Sequence, residues 1–177
     1  MPILVPQSHC YMSSTKKLVY IVDDDPMQVQ MTSDHLKDKY DFDIRGFSTG
    51  EEAVDNLSNK PDLIILDYYL NTVDEKARNG AQILEFIKKE FPEIQVIMVS
   101  GQDSMNVAVD TMRFGANDYV IKGENQFHRL EHAIDKIAEK ERLMERVRYY
   151  KNLNNILMGV MAVIVAVTVI LSAMGLL

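Results

Sequence analysis

Apolar residues in this chain cluster in short runs separated by polar or turn-forming residues. The runs at 18–22, 63–66, 96–99 and 119–121 are rich in β-branched side chains and read as buried strands. Residues 44–47 add a fifth. Between the runs the spacing becomes helical. Residues 26–39 carry Met27, Met31 and Leu36, Ser48 opens a short helix through Val54, residues 81–90 present Ile83, Leu84, Phe86 and Ile87, and residues 105–113 form a fourth helix. A fifth helix starts near Asn125, with Leu130, Ile134 and Ile137 spaced for packing on a sheet. Such alternation predicts an α/β fold: a five-stranded parallel sheet, doubly wound, with helices on both faces.

Four of the runs end on chemically capable side chains: Asp23 and Asp24, Asp67, Ser100, and Lys122. In an open parallel sheet the carboxyl ends of the strands share one edge, where ligands bind. The residues are therefore expected to converge. Three crowded carboxylates call for a cation, and a hard divalent ion with oxygen ligands, Mg²⁺ above all, suits them. A carboxylate oriented by that ion can attack a phosphoryl group, with the lysine balancing charge on the phosphoryl oxygens and the serine hydroxyl bonding one of them. The simpler alternatives are local: Asp-Asp-Asp-Pro initiates a helix, Ser100 bonds nearby backbone, and Tyr119 is a sheet-edge aromatic.

The segments Ile21-Val22-Asp23-Asp24-Asp25-Pro26, Leu63-Ile64-Ile65-Leu66-Asp67, Val96-Ile97-Met98-Val99-Ser100-Gly101 and Gly115-Ala116-Asn117-Asp118-Tyr119-Val120-Ile121-Lys122 occur in that order. Together, over residues 17–138, they resemble the receiver domain of two-component response regulators. The resemblance implies a flavodoxin-like sheet and makes Asp67 the phosphoacceptor. It implies that Asp23, Asp24 and Asp67 hold Mg²⁺ with the backbone carbonyl of Tyr69, that Ser100 and Tyr119 are the switch pair, and that Lys122 contacts phosphate. It also implies a histidine kinase or phosphotransfer protein as donor, an output protein as partner, and no catalysis beyond the chain's own phosphorylation and dephosphorylation. Two features differ from the usual family pattern. Gly123 stands where proline commonly follows the lysine, and the segment from Tyr68 to Gly80 is longer than usual.

Residues 156–177 form an uncharged run of 22. At about 1.5 Å per residue, a helix of that length crosses a hydrocarbon core of about 30 Å. The expected organisation is an irregular leader at 1–15, a receiver domain at 16–138, a helical stalk at 139–154 and a single transmembrane anchor at 155–177. Arg142, Arg146, Arg148 and Lys151 precede the span, which by the positive-inside rule puts the receiver in the cytoplasm, with the anchor C-terminal in the cell membrane. An output partner in the same membrane fits that arrangement. Along the stalk Met144 and Val147 continue a thin apolar stripe of under three heptads, and Ala162 and Ala166 have small-xxx-small spacing. Both leave a homodimer open, and the stripe reads first as a solvated helix.

The formal charge of -7 and the absence of a basic stripe outside the stalk argue against nucleic acid as a partner. The lone Cys10 provides neither a disulfide framework nor a zinc site. His128 and His132 lie four apart without a third ligand and read as surface residues. Two other functions compete with a phosphorylated switch. A haloacid dehalogenase-type phosphatase would use Asp23 and Asp25 as its acidic pair, and a structural adaptor would keep the fold with an idle site.

Overall fold

The computed structural model describes residues 16–70, 78–101 and 105–173; for residues 105, 106, 163, 165, 166 and 168–173 it describes the backbone alone. The elements alternate as β1 (Lys17–Val22), α1 (Pro26–Lys39), β2 (Phe42–Phe47), α2 (Gly50–Asp55), β3 (Leu63–Asp67), α3 (Gly80–Glu90), β4 (Gln95–Ser100), α4 (Met105–Arg113), β5 (Asp118–Ile121) and α5 (Gln126–Ala173). The expected leader and residues 71–77 of the long segment after the acceptor lie outside the described residues.

All strands pair in parallel in the order β2-β1-β3-β4-β5. This is the flavodoxin-like order, whose direction reverses between β1 and β3 and opens a crevice at their carboxyl ends. The period-two alternation of strand side chains sorts the core into two layers. Tyr20, Val22, Ile64, Leu66, Val96 and Met98 meet Ala53 of α2 and Ile83, Leu84 and Ile87 of α3 on one face. On the other, Ile21, Ile65 and Val120 turn toward Thr32 of α1 and Leu130 at the start of α5. With both faces covered, the strands read as continuous apolar runs.

Local chemistry explains most helix starts. The Asp25 carboxylate accepts from the Met27 N–H at 2.9 Å and Pro26 occupies the first turn, so α1 begins there. Asn79 and Gln82 form a capping box on α3, at 3.0 and 3.1 Å. The short helix α2 departs from expectation: its cap is Thr49, whose hydroxyl accepts from the Glu52 N–H at 3.2 Å, whereas Ser48 donates to the Glu52 carboxylate. On α1 the apolar residues divide between a buried and an exposed face. Met27 and Met31 are exposed, while Thr32, Ser33 and Leu36 are buried. Val29 decides this rotation, because its Cγ1 occupies the space a side chain would fill at Gly46 of β2.

The chain divides into two compact units, residues 1–133 and 134–177. The sheet lies wholly in the first. Within the second, the helix exposes Leu143, Met144, Val147, Tyr149 and Tyr150. Of the expected transmembrane span, residues 174–177 lie outside the described residues, and among the described residues no helix is long and apolar enough to cross a membrane.

Candidate functional site

Strand register brings the site together before any side chain is considered. Val22 of β1 sits opposite Leu66 of β3, Asp67 opposite Val99 of β4, and Ser100 opposite Ile121 of β5. The ladder continues one residue further at β1 and β5: Asp23 N–H donates to the Phe47 carbonyl at 3.1 Å and Lys122 N–H to the Ser100 carbonyl at 2.8 Å. Asp23, Asp67, Ser100 and Lys122 thus leave the sheet at nearly the same level, on the edge where β1 and β3 part.

Asp23, Asp24 and Asp67 each offer a carboxylate oxygen within 4.8 Å of the others. Two carboxylates are already engaged. Lys122 Nζ donates to Asp23 Oδ2 at 2.7 Å and lies 3.2 Å from Asp67 Oδ1, which also accepts from the Tyr68 N–H at 2.9 Å. Asp23 Oδ1 accepts from the Asp25 N–H at 3.0 Å. Asp24 differs: among the described residues its Oδ2 is a buried oxygen with no hydrogen-bond partner. An orphaned carboxylate oxygen beside two more carboxylates is costly without a cation, and three oxygen donors of this kind fit a hard divalent ion.

The electrostatics follow from burial. Asp23 and Asp67 are buried and Ser100 is sealed from solvent. Burial pushes the Asp67 carboxyl above its ordinary range; Lys122 pulls it back in part, and the Asp23 charge pushes it up again. For Lys122, burial alone would lower the ammonium, but the hydrogen bond to Asp23 and the charge of Asp67 outweigh it and the pKa is raised. The lysine is therefore held charged between the two carboxylates.

Tyr69 lies in the turn after β3, its ring edge-on to Tyr68 at 4.9 Å. Burial, then the neighbouring Tyr68, Tyr119 and Asp67, raise its phenol pKa. Tyr119 is half-buried on β5, packed against the α3-side core. A Cβ at Gly101 would meet nothing within 4 Å, so the space beside Ser100 is open. Asp25 does not join the cluster, since its carboxylate caps α1, and the acidic pair of a dehalogenase-type site is not formed.

Sequence reasoning missed three supports. Gly80, the first residue of α3, runs against the backbone of Asp67 and donates to the Tyr68 carbonyl at 3.0 Å. Asn117 ties β5 to β4: its Oδ1 accepts from the Val96 N–H at 2.9 Å and from Lys88 Nζ at 3.1 Å, and its own N–H donates to the Val96 carbonyl. Gln28 and Gln126 face each other across the cleft lined by Asp23, Asp67 and Lys122. Only Asn117 carried a sequence signal, as part of the Gly-Ala-Asn-Asp segment before β5.

Comparison with known proteins agrees with this geometry. The profile of the response regulator receiver domain matches residues 19–135, and the chain belongs to that family. It is similar to the nitrogen assimilation regulatory protein NtrX of Azorhizobium caulinodans, 31% identical over 136 residues covering 76% of this chain and 29% of that protein. It is also similar to the transcriptional regulatory protein MalR of Bacillus subtilis, 28% identical over 71% of this chain and 52% of that protein. The chain thus spans about half or less of the length of these relatives. Among solved structures, the signal receiver domain of a putative LuxO repressor protein from Vibrio parahaemolyticus superposes with a TM-score of 0.65 at 26% identity, covering 75% of this chain and 98% of that one. The receiver domain of NtrX from Brucella abortus gives 0.60 at 28% identity, covering 68% and 98%.

Proposed function

We propose that this protein is a membrane-tethered response regulator receiver that accepts a phosphoryl group on Asp67 and signals through an altered protein-interaction surface. The observation that carries the reading is the meeting of Asp23, Asp24, Asp67 and Lys122 at one sheet edge, with a buried Asp24 oxygen left without a partner. Asp23, Asp24 and Asp67 are the side chains that would hold Mg²⁺, with the Tyr69 carbonyl as the further ligand. When bound, that ion neutralises the crowded carboxylates and screens charge on the incoming phosphoryl oxygens.

The donor is a phosphohistidine of a histidine kinase or phosphotransfer protein. A carboxylate oxygen of Asp67 forms the new bond to phosphorus as the nitrogen–phosphorus bond breaks, and the leaving imidazole takes up a proton. The Tyr68 N–H and Lys122 fix the plane of the attacking carboxylate. Lys122 balances the phosphoryl charge and Ser100 bonds a phosphoryl oxygen, drawing Tyr119 with it. Such a phosphoryl group shifts the conformational balance only as far as it binds the switched state better than the resting one. Val109 and Met112, exposed on α4, and Phe114 just beyond it supply apolar area for an output partner.

Magnesium-dependent labelling by acetyl phosphate tests the acceptor. The full chain is expected to gain one acid-labile phosphate per molecule, and Asp67→Asn to gain none; equal labelling of the two chains would refute the assignment. The uncharged run at 156–177 and the basic residues before it support the tether, with the receiver in the cytoplasm. Deleting residues 153–177 is expected to move the protein from the membrane pellet to the supernatant with its labelling intact. Continued sedimentation with membranes would remove the tether from the proposal.

A further inference from the structure

Lys122 acts at the end of a turn that packing does not hold. Gly123 follows it with φ +149°, a backbone conformation that suits glycine, and a Cβ there would meet nothing within 4 Å. Proline, with its fixed φ near −65°, could not occupy this geometry and would in any case lack the N–H the turn uses. The two carboxylates hold the ammonium, and other bonds must restrain the backbone behind it.

The bonds around Gly123 supply that restraint. Its N–H donates to Gln126 Oε1 at 3.3 Å, and its carbonyl accepts from the Gln126 N–H at 3.0 Å, so one residue brackets both sides of the glycine. Gln126 Nε2 then donates to Gln28 Oε1 on α1, also at 3.3 Å. Gln28 stands three residues past Asp25, whose carboxylate caps α1 and whose N–H holds Asp23 Oδ1. Asp23 in turn accepts from Lys122 Nζ. The contacts close a circuit: Lys122, Gly123, Gln126, Gln28, the start of α1, Asp23 and back to Lys122. Phe127, stacked on His35 of α1 at 4.6 Å, fixes the first turn of α5 beside it.

We infer that Gln126 and Gln28 are positioning residues for Lys122, a side-chain clamp that does at a flexible glycine what a rigid residue would do in its place. The inference rests on Asp67 being the phosphoacceptor. The two side-chain bonds, at 3.3 Å, are long and individually modest, but one restrains the glycine and the other ties its clamp to α1, and small misplacement of a charge-balancing group is expensive in rate.

The test uses the full chain with acetyl phosphate and Mg²⁺. Wild type against Asp67→Asn first checks the acceptor; without labelling of wild type that reading falls, and the clamp falls with it. Given labelling, Gln126→Ala is expected to slow the initial rate about tenfold, with Gln28→Ala slower in the same direction. Calorimetric titration is expected to show Mg²⁺ binding no weaker than wild type, because the aspartates stay in place and a loosened Lys122 competes less for Asp23. If Gln126→Ala does not melt cooperatively, Gln28→Ala carries the comparison. Wild-type rates in both folded variants, or a rate loss matched by an equal loss of Mg²⁺ affinity, would overturn the clamp.

Discussion

Replacing Asp67 by asparagine is expected to raise the melting temperature of the metal-free protein at neutral pH. The carboxyl of Asp67 is 4% exposed, and burial raises its pKa despite Lys122 at 3.2 Å. A raised carboxyl pKa means that the folded state holds the proton more tightly than the unfolded chain. Below the unfolded value both states are protonated and nothing is lost. As pH rises through the folded value the protein must keep a buried carboxylate ionised near Asp23, and stability falls. Asparagine removes that penalty, and Lys122 keeps its 2.7 Å partner Asp23.

A gain of about 1 kcal/mol would shift Tm by roughly 4 °C in a domain of this size. Calorimetric melts in chelator from pH 8 down to pH 4 should show the difference between variant and wild type shrinking toward acid. Adding Mg²⁺ should raise the wild-type Tm more than that of the variant, since a ligand of the folded state stabilises by mass action. A variant that melts below wild type throughout would mean the acceptor is held mainly by favourable contacts.

Gly80→Ala should be the most damaging single methyl that can be added near the site. Its Cβ would lie 2.0 Å from the Asp67 carbonyl oxygen and 2.8 Å from Tyr68 Cα. Those are backbone atoms and cannot rotate aside. Relief requires withdrawing α3, which carries the fully buried Ile83, Leu84 and Ile87, or bending the end of β3 that presents the acceptor. Overpacking of this kind costs about 3 kcal/mol. The expected result is a clear drop in the urea midpoint together with slowed labelling. Gly101→Ala, whose added methyl meets nothing within 4 Å, is the matched control and should keep a near-wild-type midpoint. A wild-type midpoint for Gly80→Ala would show that α3 starts elsewhere in solution.

Strand ends made the site residues legible. Asp23, Asp24, Asp67, Ser100 and Lys122 each close an apolar run, and parallel topology sends every such end to the same rim. Helix spans were similarly readable: residues 26–39 and 105–113 were delimited by Pro26 and by the apolar period, as observed in α1 and α4. The face of α1 was not. Met27 and Met31 are apolar yet exposed, while Val29 fills the gap at Gly46, and that contact belongs to a neighbouring strand. Thr49 took the cap expected of Ser48 because the start of α2 was set by how β2 ends. His128 and His132 remain surface residues, as their spacing suggested, with His128 only 3.9 Å from Glu131.

The linear order of apolar runs and the residues closing them determined which groups gather and at which edge, because a parallel sheet leaves no choice about where strand ends point. Tertiary structure decided how they are held. The pairing of Lys122 with Asp23 joins residues 99 positions apart, Gln126 meets Gln28 across 98, and Gly80 touches Asp67 only because α3 docks there. Such contacts depend on the closest approach of separate elements to within an ångström. Periodicity fixes the element, while side-chain volume and hydrogen-bond satisfaction in the packed chain fix its face and that distance.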